Sequence, residues 1–326
     1  MRIAVFGYYN AGNTGDDRLK EAWLDILGHE HDLTFLRHDS LPAIRVLRKF
    51  DWVLIGGGGL VFGETGIWLS PEDWIQKSGV KIGVAGLGVN SVTPLLNRSL
   101  KILGNKSRFF FVRDLESRRL CTEAGCNPEV YPDLSWCLPR RELVDPQATA
   151  VAVNFAPCWW KPMDVEAWSE MLPKTVLLPV VFDHRDSVVL KKMLPGNVPE
   201  AFCVEPLTRC RFLIGSRYHS LLFAMQLRVP CIAVAYDHKV SRLMHEAGLS
   251  ELCLDTSEPQ KLPDVIALLE LRRSEFIEKI EAYATTQELK ARELVDRIRR
   301  SIADVPPIPR MVSFGNRLLD RIFRRP

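Results

Sequence analysis

Short apolar runs alternate with amphipathic stretches along the first half of the chain. Residues 3–8, 33–36 and 51–55 read as strands, since brief apolar runs bounded by turn formers suit a buried parallel sheet. Residues 16–27 put Leu19, Trp23, Ile26 and Leu27 on one face at helical spacing, and residues 43–50 fit a short helix. Segments 80–87, 109–112 and 129–131 continue the strand series, with a helix at 114–124. Strands alternating with helices predict a parallel, doubly wound sheet.

Proline and charge thicken over residues 138–147, which reads as a linker. A second alternation follows. Strands are expected at 151–155, 175–181, 203–204, 212–214 and 231–235, and helices at 164–171, 186–193, 219–226 and 240–247. Residues 264–303 form a long charged helical region, and Pro306-Pro307-Ile308-Pro309 sets off a terminal segment. The predicted fold class is α/β, with two doubly wound Rossmann-like domains and a C-terminal helical segment. Its parts are residues 1–140, residues 148–260, a helical segment at 261–303 and a tail at 304–326. Two such domains facing a cleft describe the GT-B architecture, an analogy of fold that does not give function.

Composition narrows the class. At 326 residues, 47% apolar and 25% charged, the chain suits a two-domain globular protein. Its net charge of +3 is uneven, with eight arginines against two aspartates from Arg297 onward and a slightly acidic body before them. No broad nucleic-acid footprint is implied. None of the eight cysteines forms a C-x-x-C pair, and histidine spacing completes no zinc set, so buried thiols in a reducing cytosol are expected. The run after Met1-Arg2 is too short for a signal-peptide core and no stretch approaches a membrane span, so a cytoplasmic location is expected.

Candidate chemistry gathers at the strand ends, where α/β sheets open onto their ligands. Gly12, Asn13, Gly15 and Asp16 lie on a loop between the first strand and the first helix. The free N–H groups there suit an anion, although Asp16 would serve equally as a helix cap. The spacing fails the G-x-G-x-x-G dinucleotide pattern. Gly57 and Gly58 sit in a run of four glycines after the third strand, which either exposes backbone amides to a ligand or makes a plain turn. Arg113-Asp114 follows another strand, as a cleft cation or a surface ion pair. Ser216-Arg217-Tyr218-His219-Ser220 brackets a strand-to-helix junction, and Lys239 follows the next strand end. Arginine can grip an anion with two parallel bonds and histidine can move a proton near neutrality. Chemistry on an acidic small molecule is the expectation, against a hydrogen-bonded structural histidine and a solvated lysine.

Taken together, G-x-x-x-x-G-N-x-G-D at 7–16, G-G-G-G at 56–59, R-D-x-x-S at 113–117, S-R-x-H-S-L at 216–221 and Y-D-x-K-V at 236–240 resemble the polysaccharide pyruvyl transferase family. The motifs run in family order across residues 3–250. The chain departs from the family at Tyr218, where leucine is common, at Arg228, where glycine is, and at His238, where proline is. Gly63-Glu64 stands where an aspartate often follows the glycine run, a change that bears on the acceptor.

The resemblance implies a GT-B-like enzyme that moves the pyruvyl unit of phosphoenolpyruvate onto two hydroxyls of a sugar in a polysaccharide or lipid-linked glycan, releasing phosphate. It implies His219 as general acid/base, Arg217 as a bidentate anion clamp, Arg113 and Lys239 as second cations, and Asp16 and Asn13 binding the sugar hydroxyls or helping to deprotonate one. Gly12, Gly15, Gly57, Gly58 and Ser216 complete the expected binding set. The reaction as drawn needs no metal or cofactor. The alternatives are a GT-B glycosyltransferase using a nucleotide sugar and a non-catalytic glycan-binding subunit. In the tail, Phe314, Leu318 and Ile322 share a helical face among arginines. That pattern fits either a helix lying on the inner face of the plasma membrane or one packed on the body.

Overall fold

The computed structural model describes residues 1–9, 14–138, 142–157, 161, 163–194 and 196–304. Its first sheet contains β1 (Arg2–Gly7), β2 (Asp32–Arg37), β3 (Trp52–Ile55), β4 (Gly58–Val61), β5 (Lys81–Val89), β6 (Phe110–Val112) and β7 (Glu129–Val130). Helices α1 (Thr14–Leu27), α2 (Ile44–Leu47), α3 (Pro94–Lys106) and α4 (Leu115–Glu123) lie in its connections. The strand order is β2-β1-β3-β5-β6-β7, with β4 paired to β5 off that path. The second sheet contains β8 (Ala150–Asn154), β9 (Leu177–Pro179), β10 (Cys210–Gly215), β11 (Cys231–Ala235) and β12 (Cys253–Asp255), ordered β12-β11-β10-β8-β9. Helices α5 (Val165–Met171), α6 (His184–Met193), α7 (Tyr218–Gln226) and α8 (His238–Glu246) connect it, and α9 (Leu262–Leu271) and α10 (Arg273–Ala303) follow. The named strand pairs are parallel, as the two-domain α/β prediction requires.

In each sheet the chain leaves its first strand toward one side and then returns to the other. The reversal lies between β2 and β3 around β1, and between β9 and β10 around β8. Such reversals open a crevice at the carboxyl ends of the strands. The chain that follows β1, β8 and β10 carries Asp16, Ala156 and Ser216 respectively.

Several elements differ from expectation. Two residues of the glycine run, Gly58 and Gly59, are not turn but the start of β4. Helix α3 has no counterpart in the apolar pattern, although Thr93 caps it by accepting from Leu96 N at 3.3 Å and Pro94 opens it. Residues 203–204 give only an isolated antiparallel bridge, Val181 to Cys203, rather than a strand. The long helical region is two helices, broken at Arg272. The linker residues 139–141 and the tail from residue 305 onward, which carries the expected amphipathic segment, lie outside the described residues. Among the described residues no helix is long and apolar enough to cross a membrane.

Helix α10 belongs to both domains. Phe276, Ile280 and Ala284 are buried in the core around the second sheet, whereas Leu294, Ile298 and Ile302 are buried with Ile3, Trp23 and Trp52 of the first. Arg299 Nε donates to Ile26 O at 2.9 Å, and Arg297 pairs with Glu129. Arg228 supplies a further tie. Its φ of 60° is left-handed, a conformation that favours glycine, yet its side chain reaches Glu281 at 2.9 Å and Glu288 at 2.6 Å on α10. The arginine exchanges backbone strain for a grip on the strap. Arg228→Ala keeps the strain and loses the grip, whereas Arg228→Gly loses the grip and relieves the strain, worth about 1–2 kcal/mol. In urea unfolding Arg228→Gly is expected to be the more stable of the two, and equal midpoints would show that the strain is absent.

Candidate functional site

A cavity of about 440 Å³ opens between the two sets of strand ends. From the first domain it is lined by Tyr8, Asp16, Gly59, Phe62, Asn90 and Arg113, and from the second by Arg185, Arg217, His219, Tyr236 and Lys239, among others. Arg113 follows β6 directly and is 6% exposed. Its guanidinium lies 4.6 Å from the centroid of the Tyr218 ring, 3.3 Å from Asp114 Oδ2 and 3.5 Å from Asp133 Oδ2. Tyr218, where the family commonly has leucine, therefore gives this cation an aromatic face from the opposite domain.

Arg217 is the N-cap of α7 and is held from behind. Its Nε lies 2.8 and 2.7 Å from the two Asp186 oxygens, and its Nη2 lies 2.5 Å from Oδ1. Asp186 is fully buried and also accepts from Asn154 Nδ2 at 3.2 Å and Phe182 N at 3.1 Å. The Nε–Nη2 edge expected to grip a ligand is thus spent on Asp186. Arg185 is tied in the same manner to Asp183, at 3.0 and 3.1 Å from Nε. The first pair is buried and the second leaves Arg185 partly exposed, and each aims its cation at the cost of some attraction for a ligand.

Two glycines admit the acid and the base: His219 reaches across the domain boundary to Gly15, and Asp16 lies against Gly58 within the first domain. A Cβ on Gly15 would stand 2.5 Å from His219 Nδ1, and one on Gly58, whose φ is 88°, would stand 2.5 Å from Asp16 Oδ1. Only glycine at both positions lets these side chains sit where they do. Burial first of all, reinforced by Arg113, Lys239 and Arg217 and opposed by Asp133, pushes the His219 imidazole down to about 4. Its Nε2 is buried with no hydrogen-bond partner among the described residues. Burial first of all also pushes the Asp16 carboxyl up to about 7, against the pull of Lys239, Arg113 and Arg217. At neutral pH the histidine is a neutral base, and the aspartate keeps its proton in a large share of molecules.

The structure therefore brings together Asp16, Arg113, Arg217, His219 and Lys239 in one cavity. Lys239 Nζ sits 3.7 Å from Asp237 Oδ2 and 5.5 Å from the Tyr236 ring centroid. Ser216 stands behind the wall, its Oγ accepting from Ala156 N at 2.7 Å. Gly57 is backed onto Leu19 and Gly58 onto Asp16, while Gly59 lines the cavity. Gly12 and Asn13 lie outside the described residues. The sequence reading missed Arg185, Asp183, Asp186 and Asp133. Asp183-His184-Arg185-Asp186 follows an apolar run at a strand-to-helix turn, as Arg113-Asp114 does, and that shared grammar was the available signal.

Comparison with known proteins agrees with this architecture. The model of the family described as polysaccharide pyruvyl transferase matches residues 13–238. A curated relative, the amylovoran biosynthesis protein AmsJ of Erwinia amylovora, is 36% identical over 86 residues, which is 25% of this chain and 20% of that protein. The chain thus matches about a fifth of that relative's length. Among solved structures, MnaA of S. aureus in a co-structure with UDP aligns with a TM-score of 0.63 at 11% identity, covering 96% of this chain and 100% of that one. The glycotransferase of kitacinnamycin aligns with a TM-score of 0.56 at 12% identity, covering 92% of this chain and 98% of that one. At these identities the likeness is one of fold, the GT-B glycosyltransferase and epimerase arrangement of two parallel-sheet domains.

The Asp16 environment has a measurable consequence for stability. A carboxyl held up at about 7 binds its proton more tightly when folded than when unfolded. Its contribution to stability is complete below about pH 4 and is lost as pH rises through about 7. Asp16→Asn removes that proton dependence. Its stability relative to the parent is therefore expected to improve between pH 4 and pH 8, read as urea midpoints at fixed ionic strength, and a pH-independent difference would contradict the raised carboxyl.

Proposed function

This chain belongs to the polysaccharide pyruvyl transferase family, and from that premise we propose that it transfers the pyruvyl unit of phosphoenolpyruvate to two hydroxyls of one sugar in a glycan, releasing phosphate. The observation that carries this reading is the cavity itself, where four cations surround an acid and a base whose proton affinities are displaced in opposite directions. Phosphoenolpyruvate brings a carboxylate and a phosphate, which Arg113, the Nη1 end of Arg217, Arg185 and Lys239 are suited to receive. Its enol carbon needs a proton while a sugar hydroxyl loses one.

In the proposed sequence, protonated Asp16 donates to the methylene carbon as the first sugar oxygen bonds to C2. That hydroxyl's proton passes to His219. Phosphate then leaves C2 with the C–O bonding pair and takes the proton held by His219. The second hydroxyl bonds to C2, and its proton returns to Asp16. The methyl ketal, hydrogen phosphate and the resting enzyme result, with charge and protons balanced. Burial keeps Asp16 protonated enough to give a proton, while His219, made a weak base by the same burial, gains basicity from the negative charge the donor brings.

The test is incubation with phosphoenolpyruvate and a panel of aryl glycosides, reading phosphate release and a pyruvyl mass gain on the sugar. Asp16→Asn and His219→Gln are each expected to lose at least about 100-fold in kcat while remaining folded. Near-normal turnover in either would remove that residue from the mechanism. Gly15→Ala is expected to favour helix α1 intrinsically yet lower kcat, because its methyl group would occupy the space beside the His219 ring. Release of a nucleoside diphosphate from a nucleotide sugar, with phosphoenolpyruvate inert, would instead identify a glycosyltransferase.

A further inference from the structure

Beside the reaction cavity lies a second cleft of about 550 Å³, at the carboxyl ends of β11 and β12. Asn90, Tyr236 and Asp237 line both spaces, so the second opens as a side bay of the first. Its size falls in the range of small-ligand sites, roughly 300–1,000 Å³. Given the transfer reading above, on which this inference rests, we propose that the bay is an acceptor subsite that holds the sugar residue next to the one being modified.

Chemistry and wall structure favour a neutral sugar there. The cleft carries Asp237, Asp255 and Glu258 against Lys161 and Arg242. Carboxylates accept hydroxyl hydrogen bonds but repel a diphosphate. Asp255 is held ionised, its carboxyl brought down to about 2 by Lys161 and by Ser257, which overcome the opposing effect of burial. Lys161 closes one side by pairing with Asp255 and donating to Ala235 O at 3.3 Å. Asp237 is oriented by capping α8, where it accepts from Lys239 N at 2.9 Å. The Tyr236 ring adds an apolar face of the kind a pyranose packs against.

Another cleft, of about 1170 Å³, meets the reaction cavity only at Arg113. That guanidinium is 6% exposed and is packed on Tyr218, so it stands as a partition between the two spaces. The bay at Tyr236, which shares three lining residues with the reaction cavity, offers a chain a side on which to continue. A phosphate-bearing donor and an uncharged glycan would thus be sorted by charge, with the cations around the reaction cavity and the carboxylates along the bay.

The experiment uses p-nitrophenyl glucoside, galactoside and mannoside and the matching disaccharides, with binding measured by calorimetry without donor and phosphate release measured with it. Ser241 lines only the bay, on α8, with its hydroxyl donating to His238 O at 3.1 Å. At least one disaccharide is expected to bind the wild type tenfold or more tightly than its monosaccharide. Ser241→Trp, filling the bay, is expected to erase that increment and leave monosaccharide binding unchanged. Arg242→Ala, a smaller change, is expected to reduce the increment. Absence of the increment in the wild type, or its survival in Ser241→Trp, overturns the subsite. UDP binding more tightly than every panel sugar and lost in Ser241→Trp also overturns it, in favour of a nucleotide. The increment without any phosphate release leaves the subsite and removes the pyruvyl transfer, whereas phosphate release without the increment does the reverse.

Discussion

Helix α10 is buried in two cores at once, and the geometry between the domains depends on it. Its first turns fill the second domain through Phe276, Ile280 and Ala284, and its last turns fill the first through Leu294, Ile298 and Ile302. A helix of 31 residues is a stiff connector. It sets the separation of two strand-end edges that would otherwise be joined mainly by a loop. The same spacing lets Tyr218 of one domain lie on Arg113 of the other, Arg18 lie over Phe223 and Gln226 donate to Ser135 O. Interdomain interfaces of this kind ordinarily permit relative motion. Here the strap and the arginine–aromatic contacts restrict it where the cavity forms.

Within that frame the electrostatics follow from burial. Cations enter the cavity already paired at their backs, Arg217 to Asp186 and Arg185 to Asp183. The pairing keeps the buried Arg217 guanidinium from being an isolated charge and fixes the direction of both side chains. Asp16 and His219 are both buried among these charges. Low dielectric therefore acts on each toward its neutral form, moving one up and the other down. A dianionic or trianionic donor of the proposed kind would raise the proton affinity of both, which would couple its arrival to the protons that the proposed transfer needs.

The strand and helix alternation of both domains was legible because a buried parallel strand needs an apolar run, and residues 231–235 match β11 to the residue. So was the family, since five motifs fall at strand ends in order. Less legible was the glycine run. Glycine has no side chain by which to distinguish a ligand-facing turn from a place where another side chain approaches, and Gly58 proved to be the latter for Asp16. Arg217 was legible as a cation but not as one committed to Asp186, which lies 31 residues away in sequence. Arg228 illustrates the same gap. A departure from glycine is visible in the sequence, whereas the strap it grips is not.

Local chemistry is what the sequence by itself determined: which runs are buried strands, which turns carry arginine, histidine and aspartate, and which family shares them. Those features depend on neighbours a few residues apart, and periodicity records them. Only the tertiary structure decided which charges are spent on one another, which histidine is buried and that α10 belongs to both domains. Desolvation and ion pairing depend on what packs through space, and packing brings together residues as distant in sequence as Gly15 and His219.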